Sequence, residues 1–143
     1  MDRRSFIRMT LAGGAAGLIA PKLVLASDSL SSPMAGGVFY TKDAPGRWSQ
    51  KVGGHLPSIE IARTADGKIE VKVATAHEMK GYEHYIIKHV LLNKDFGFIA
   101  EHPFNPTVDL APVSQFTLDA YRGPLYALSE CNKHDTWINV IEV

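Results

Sequence analysis

The chain has 143 residues, with 15 basic and 15 acidic side chains and a formal net charge of +0 at pH 7. That length suits one domain, and so even a charge balance offers no basic face for a polyanion, which excludes nucleic-acid binding as its main role. Cys131 is the only cysteine, so no disulfide framework can staple the chain.

Residues 1–26 read as an export signal rather than as fold. A charged start contains Arg3-Arg4-Ser5-Phe6-Ile7, an apolar Ala- and Gly-rich run fills 9–20, and Val24-Leu25-Ala26 ends in a small-residue cleavage site. The paired arginines followed by Ser-Phe-Ile match a twin-arginine signal, which predicts a periplasmic or otherwise exported protein. The apolar run is shorter and richer in glycine than a spanning helix of about 20 residues. No membrane span is therefore expected in the mature form, and the signal is either cleaved after Ala26 or kept as an anchor. A lone cysteine in an oxidising compartment is either buried and inert or occupied by a metal. Export in the folded state suits a metal site that is filled beforehand.

Residues 27–52 are rich in Ser, Gly and Pro without periodicity and are expected as an extended N-terminal arm, with Tyr40 and Trp48 pinning it to the body. The domain proper is expected over 53–143. Ile59-Glu60-Ile61 alternates, Ala65-Asp66-Gly67-Lys68 reads as a hairpin turn, and Ile69-Glu70-Val71-Lys72-Val73 alternates strictly, as a half-buried strand should. Residues 84–92 (HYIIKHVLL) form a longer β-branched run that suits a central strand. Residues 113–118 and 125–130 are weaker strands, and 137–143 (WINVIEV) alternates again. Pro103, Pro106 and Pro112 fall in one connection and argue against a helix there. Six or seven short strands separated by turns predict an all-β protein, an antiparallel sandwich.

Six histidines occur, and any one alone is more often a surface or satisfied core residue than a ligand. Their arrangement carries the case. Cys131-Asn132-Lys133-His134 sets a thiolate and an imidazole three residues apart just past a predicted strand. His77 and His84 bracket a loop containing Gly81; seven residues apart on one strand they would face opposite ways, but a loop can fold both to one end. His55 stands in the flexible lead-in Gly53-Gly54-His55-Leu56-Pro57. Four histidines and one cysteine thus fall at strand ends or in loops, where functional groups concentrate. His89, inside the long strand, is read as structural, and His102, before Pro103, as solvent-facing. Trp137 is read as a core residue under the site, and Asn132 as a hydrogen-bond donor to the Cys131 thiolate.

These blocks resemble the superoxide reductase family, the neelaredoxins and the iron-binding domain of desulfoferrodoxins. His55-Leu56-Pro57-x-Ile59-Glu60 is similar to the family's His-x-Pro-x-Ile-Glu opening. His77-x-Met79 followed by His84-Tyr85-Ile86 resembles its His-Pro-Met…His-Tyr-Ile segment, and Cys131-Asn132-Lys133-His134-Asp135-x-Trp137 its Cys-Asn-x-His-Gly-x-Trp signature. The blocks occur in family order and span most of the chain after residue 26. The resemblance implies an immunoglobulin-like sandwich of about seven strands and a mononuclear iron with His55, His77, His84 and His134 equatorial and Cys131 axial. It implies one-electron reduction of superoxide to hydrogen peroxide, with the thiolate pushing electron density onto the metal. It also implies an electron donor protein, unidentified here, and makes a homo-oligomer plausible. With no further cysteine, no accessory rubredoxin-like centre is expected.

Four departures stand out. The Glu-Lys pair common before the first histidine is Gly53-Gly54 here, so Lys51, Lys80 or Lys133 must supply the site's positive charge and Glu78 or Glu83 its acid. Glu78 stands where proline is usual, the 77–84 loop is one residue longer, and Asp135 replaces glycine beside His134. The rival readings are an iron-containing electron-transfer or redox-sensing module with little turnover, and a copper electron-transfer protein. The latter usually needs an axial methionine, and none follows Cys131.

Overall fold

Seven strands follow one another in antiparallel pairs: β1 (Ser58–Arg63), β2 (Ile69–Ala74), β3 (Ile86–Leu92), β4 (Phe98–Pro103), β5 (Val113–Leu118), β6 (Pro124–Cys131) and β7 (Asp135–Glu142). The computed structural model describes residues 30–143, so the signal expected at 1–26 lies outside the described residues. One sheet has the order β1-β2-β5 and the other β4-β3-β6-β7, giving the all-β sandwich predicted. Among the described residues no helix is long and apolar enough to cross a membrane.

The alternation in β2 is realised as written. Ile69, Val71 and Val73 turn into the sandwich while Lys72 stays exposed, and β2 pairs with β1 from Ser58↔Ala74 to Arg63↔Ile69. From β6, Leu125, Ala127, Ser129 and Cys131 point the same way. Ile69, Val71, Val73, Leu91, Leu118, Leu125 and Ala127 form the main core, each large apolar side chain contributing about 1.5–3 kcal/mol through burial. In β3 the inward residues are Ile86, His89 and Leu91, and the odd step from 86 to 89 is made by a register shift between Ile86 and Lys88. A bulge of this kind re-aims side chains beside a site.

Two features differ from the sequence expectation. β4 was not among the strands expected, and its end at Pro103 was expected as connection. It is an edge strand paired only with β3, and edge strands tolerate a terminal proline. His102 is exposed as expected, but on this strand rather than in a loop. The lead-in to His55 is not flexible: Val52–His55 makes one short helix, α1. The arm is docked through Tyr40, one of the two residues expected to pin it. The Tyr40 N–H donates to the Thr136 carbonyl (2.9 Å) and its own carbonyl accepts from Ile138 N–H (2.9 Å), adding a bridge to the edge of β7. Leu30 and Phe39 cover Tyr126 and Ile138 on the outer face.

His89 is structural, as read, and 0% exposed. Its Nε2 lies 2.8 Å from Thr75 Oγ1 and its Nδ1 2.7 Å from Ser114 Oγ, so both ring nitrogens are satisfied by hydroxyls. Burial, with His102 next in effect, lowers its pKa from 6.5 to about 4. Such a group favours folding fully above pH 6.5, and that contribution is lost as the pH falls from 6.5 towards 4. For one histidine the shift corresponds to on the order of 3 kcal/mol. In the metal-free protein the fall in unfolding free energy between pH 6.5 and 4 should accordingly be smaller by about that amount in His89→Gln than in the native chain, as read by denaturant titration at each pH.

Candidate metal centre

Five side chains converge at one end of the sandwich, each brought there by a different device. His55 closes α1, and 95% of its surface is covered. Its Nδ1 lies 3.0 Å from the Lys51 carbonyl, which can only accept, so the proton sits on Nδ1. Nε2 is then a bare lone pair, aimed inward and without any partner. His77 follows β2, held by its N–H to the Thr75 carbonyl (2.8 Å). His84 follows a single 3-10 turn, Gly81–Glu83; Gly81 enters it at φ +57°, a conformation glycine adopts without strain. The loop closes with Lys80 N–H donating to the His84 carbonyl (2.9 Å). Cys131 ends β6, and His134 sits in the turn before β7.

The four imidazoles stand at the corners of a square. Neighbouring centroids are 4.7 Å apart for His55–His77, 4.4 Å for His77–His84, 4.9 Å for His84–His134 and 4.7 Å for His134–His55, each pair steeply inclined. The diagonal pair His55–His84 is 6.1 Å apart and nearly parallel. His84 Nε2 is 3.0 Å from His77 Nε2 and 3.1 Å from His134 Nδ1. Nitrogens about 2.1 Å from one ion at right angles stand about 3 Å apart, so these spacings fit adjacent ligands. Cys131 Sγ lies to one side, 3.6 Å from His134 Nδ1 and 3.9 Å from His77 Nε2. Ligand atoms of His55, His84, Cys131 and His134 all fall within 4.8 Å of one another. His77 completes the square.

The electrostatics fit a cation. Burial lowers the pKa of all four imidazoles, that of His55 to about 4, which keeps them neutral with lone pairs available. Burial raises that of Cys131, so the thiol loses its proton readily only to a metal. Four nitrogens and one sulfur suit a borderline transition metal. The buried, donorless Nε2 of His55 is the strongest sign that an ion belongs there, since a buried lone pair left unsatisfied is costly.

Two supporting contacts were not foreseen. Asn132 does not donate to the thiolate. Its Oδ1 accepts from Tyr85 N–H (2.9 Å), and its Nδ2 donates to the carbonyls of Tyr82 (3.2 Å) and Glu83 (2.9 Å), latching the loop that carries His84. Asp135, at φ +64°, fills a position that glycine takes more easily, and aspartate is among the few side chains that tolerate it. Its carboxylate accepts from Arg47 Nη2 (2.7 Å) and Trp48 Nε1 (2.9 Å). These bonds hold its pKa below the usual carboxylate range, and the charge is spent on the arm. The Trp48 ring in turn meets His134 edge-on at 4.7 Å. Below the site Trp137 is 0% exposed, as expected, and its Nε1 donates to the His134 carbonyl (3.0 Å).

Of the lysines singled out from sequence, Lys51 begins the turn into α1, and both it and Lys133 are close enough to depress the pKa of His84 and His134. Lys80 acts on His84 as well, but its ammonium is paired with Glu78 at 2.9 Å. Glu83 is exposed. Neither glycine before His55 is imposed by packing: a Cβ on Gly53 would meet nothing within 4 Å, and one on Gly54 would stand 3.4 Å from the Ala76 carbonyl.

A sandwich with four imidazoles and a thiolate gathered at one end presents a His/Cys group able to hold a metal ion. The family model described as desulfoferrodoxin matches residues 47–140, and the chain belongs to that family. Solved structures agree. The superoxide reductase (neelaredoxin) from Ignicoccus hospitalis is 29% identical, with TM-score 0.62 over 76% of this chain and 95% of that one. A variant of the superoxide reductase (neelaredoxin) from Archaeoglobus fulgidus in the reduced form is 27% identical, with TM-score 0.53 over 63% of this chain and 89% of that one. The superoxide reductase from Nanoarchaeum equitans, 19% identical with TM-score 0.56 over 64% of this chain and 94% of that one, shares the fold. No curated protein sequence matches the chain.

The latch has a measurable consequence. Asn132→Ala should weaken metal binding about 10- to 100-fold, the usual cost of losing a contact that orients a ligand. Chelator competition would read this, while the unfolding midpoint of the metal-free protein stays within the small range of a surface substitution.

Proposed function

We propose that the protein is a superoxide reductase, holding one iron with His55, His77, His84, His134 and Cys131 and converting superoxide to hydrogen peroxide. The observation that carries this reading is the buried Nε2 of His55, a lone pair with no donor, aimed at the centre of a square completed by three further imidazoles. A ferrous ion bound there would supply the single electron that, with two protons, turns one superoxide into one hydrogen peroxide. Cys131 is buried on the inner side of the square, whereas His77, His84 and His134 are half-buried. The small anion would approach from the side of the half-buried imidazoles.

On that side Lys51 and Lys133 provide the attraction. Both are exposed, both bear on His84 and His134, and no carboxylate is paired with either among the described residues. They stand in for the lysine that Gly53-Gly54 lacks, by steering the anion. Lys80 contributes less, being held by Glu78. Asp135, whose charge is engaged by Arg47 and Trp48, does not oppose the approach. The electron that resets the site comes from a separate donor protein. The Arg3-Arg4 signal supports a location beyond the cytoplasmic membrane, reached through the twin-arginine route after the site is filled.

Metal analysis and visible absorption test the reading. The protein as isolated should carry one iron per chain and, when oxidised, a red-region thiolate-to-iron band that Cys131→Ser abolishes. Mixing the ferrous form with superoxide should oxidise it within milliseconds. An intense blue copper band, or no bound metal, would sink the proposal. An iron protein inert to superoxide would instead be an electron-transfer or sensing module. Lys51→Ala should slow the superoxide reaction several-fold at low ionic strength and less at high salt, since screening weakens steering between exposed charges.

A further inference from the structure

We infer that His89 is a positioning residue of the metal centre, holding in register across the two sheets the strand ends that carry His77 and Cys131. The inference rests on the proposed ligand set, but not on the reaction performed there.

His89 lies inside a linear chain of buried polar groups. Ser114 Oγ meets its Nδ1 (2.7 Å), Thr75 Oγ1 meets its Nε2 (2.8 Å), and Ser129 Oγ meets Thr75 Oγ1 (2.8 Å). All four residues are buried. Ser114 on β5 and Thr75 just past β2 lie on one side, and His89 on β3 and Ser129 on β6 on the other, so each of the three links crosses between the sheets. A neutral ring donates at one nitrogen and accepts at the other, and the hydroxyls can turn to complete the chain in either direction. A hydrogen-bonded network in which every member has a partner holds its members in one alignment in a low-dielectric core, whereas apolar side chains would tolerate sliding.

Two members lie two residues before a ligand. The Thr75 carbonyl accepts the His77 N–H (2.8 Å), and the Thr75 N–H donates to the Pro112 carbonyl (3.0 Å), so Thr75 is tied on every side. Ser129 and Cys131 share the inward face of β6. A second route is steric. The Phe104 ring meets the His89 ring edge-on at 4.9 Å, and Phe104 packs in one cluster with Ile86, Cys131 and Met79. The alternative, a polar plug that stabilises the core without touching ligand geometry, predicts lower stability and nothing else.

Two pairs of substitutions separate these readings. Thr75→Val removes the hydroxyl at constant shape and Thr75→Ser keeps it; His89→Leu and His89→Gln make the same contrast at the ring. The readouts are the energy of the thiolate charge-transfer band in the iron(III) protein, the same band with cobalt(II), and the dissociation constant of each metal. The unfolding midpoint of the metal-free protein is measured alongside. Thr75→Val and His89→Leu should shift the band and raise the dissociation constants at least tenfold, with Thr75→Ser and His89→Gln largely restoring both. Variants that unfold earlier but keep the native band and affinity would overturn the inference. Should His89→Leu fail to fold, the two Thr75 variants decide alone. Failure of the native chain to bind iron would defeat the proposed function, while the cobalt series would still decide the role of His89.

Discussion

Four neutral imidazoles aimed at one point form an arrangement that a protein without a cation would not keep. Their inward nitrogens approach to 3.0 and 3.1 Å, and the His55 lone pair, fixed by the Lys51 carbonyl, has no donor to meet. Convergence of lone pairs costs free energy that a bound cation would offset. Much of the surrounding structure serves to hold that convergence. The short helix turns His55 inward, the 3-10 turn after Gly81 brings His84 back over His77, and the β6–β7 turn delivers Cys131 and His134 together. The sandwich supplies the rigid frame on which these loops are spaced.

Support reaches the square from three sides. Asn132 ties the His84 loop to the Cys131 strand. Trp137 lies beneath, bonded to the His134 carbonyl. The arm lies against the outer edge, where Trp48 touches the His134 ring and Asp135 grips Trp48 and Arg47. The guanidinium of Arg47 also sits 4.6 Å above the Trp48 ring, so one ion pair and one cation–π contact act on the same residue. Exposed contacts of this kind are individually modest, and their value here is geometric.

The strands written as strict alternations were legible because half-buried strands must alternate: β2 runs Ile69, Val71, Val73 inward with Lys72 exposed between them. β4 was not legible, since an edge strand with Phe98 exposed has no buried face to impose a pattern. That His55, His77, His84, Cys131 and His134 converge was legible through motif order. Nothing in the order of residues could disclose that Asn132 latches a loop 47 to 50 positions away rather than the neighbouring thiolate. Asp135 likewise read as an unwelcome charge until its partners from the arm were in view. His89 read correctly as structural, but its hydroxyl partners are 14 and 25 positions away, beyond any local signal.

The donors come from both ends of the folded unit: His55 precedes the first strand, and Cys131 and His134 bracket the last turn. A chain that stops before β6 lacks two of the five converging side chains and half of the larger sheet, so the full donor set exists only once the final hairpin is in place.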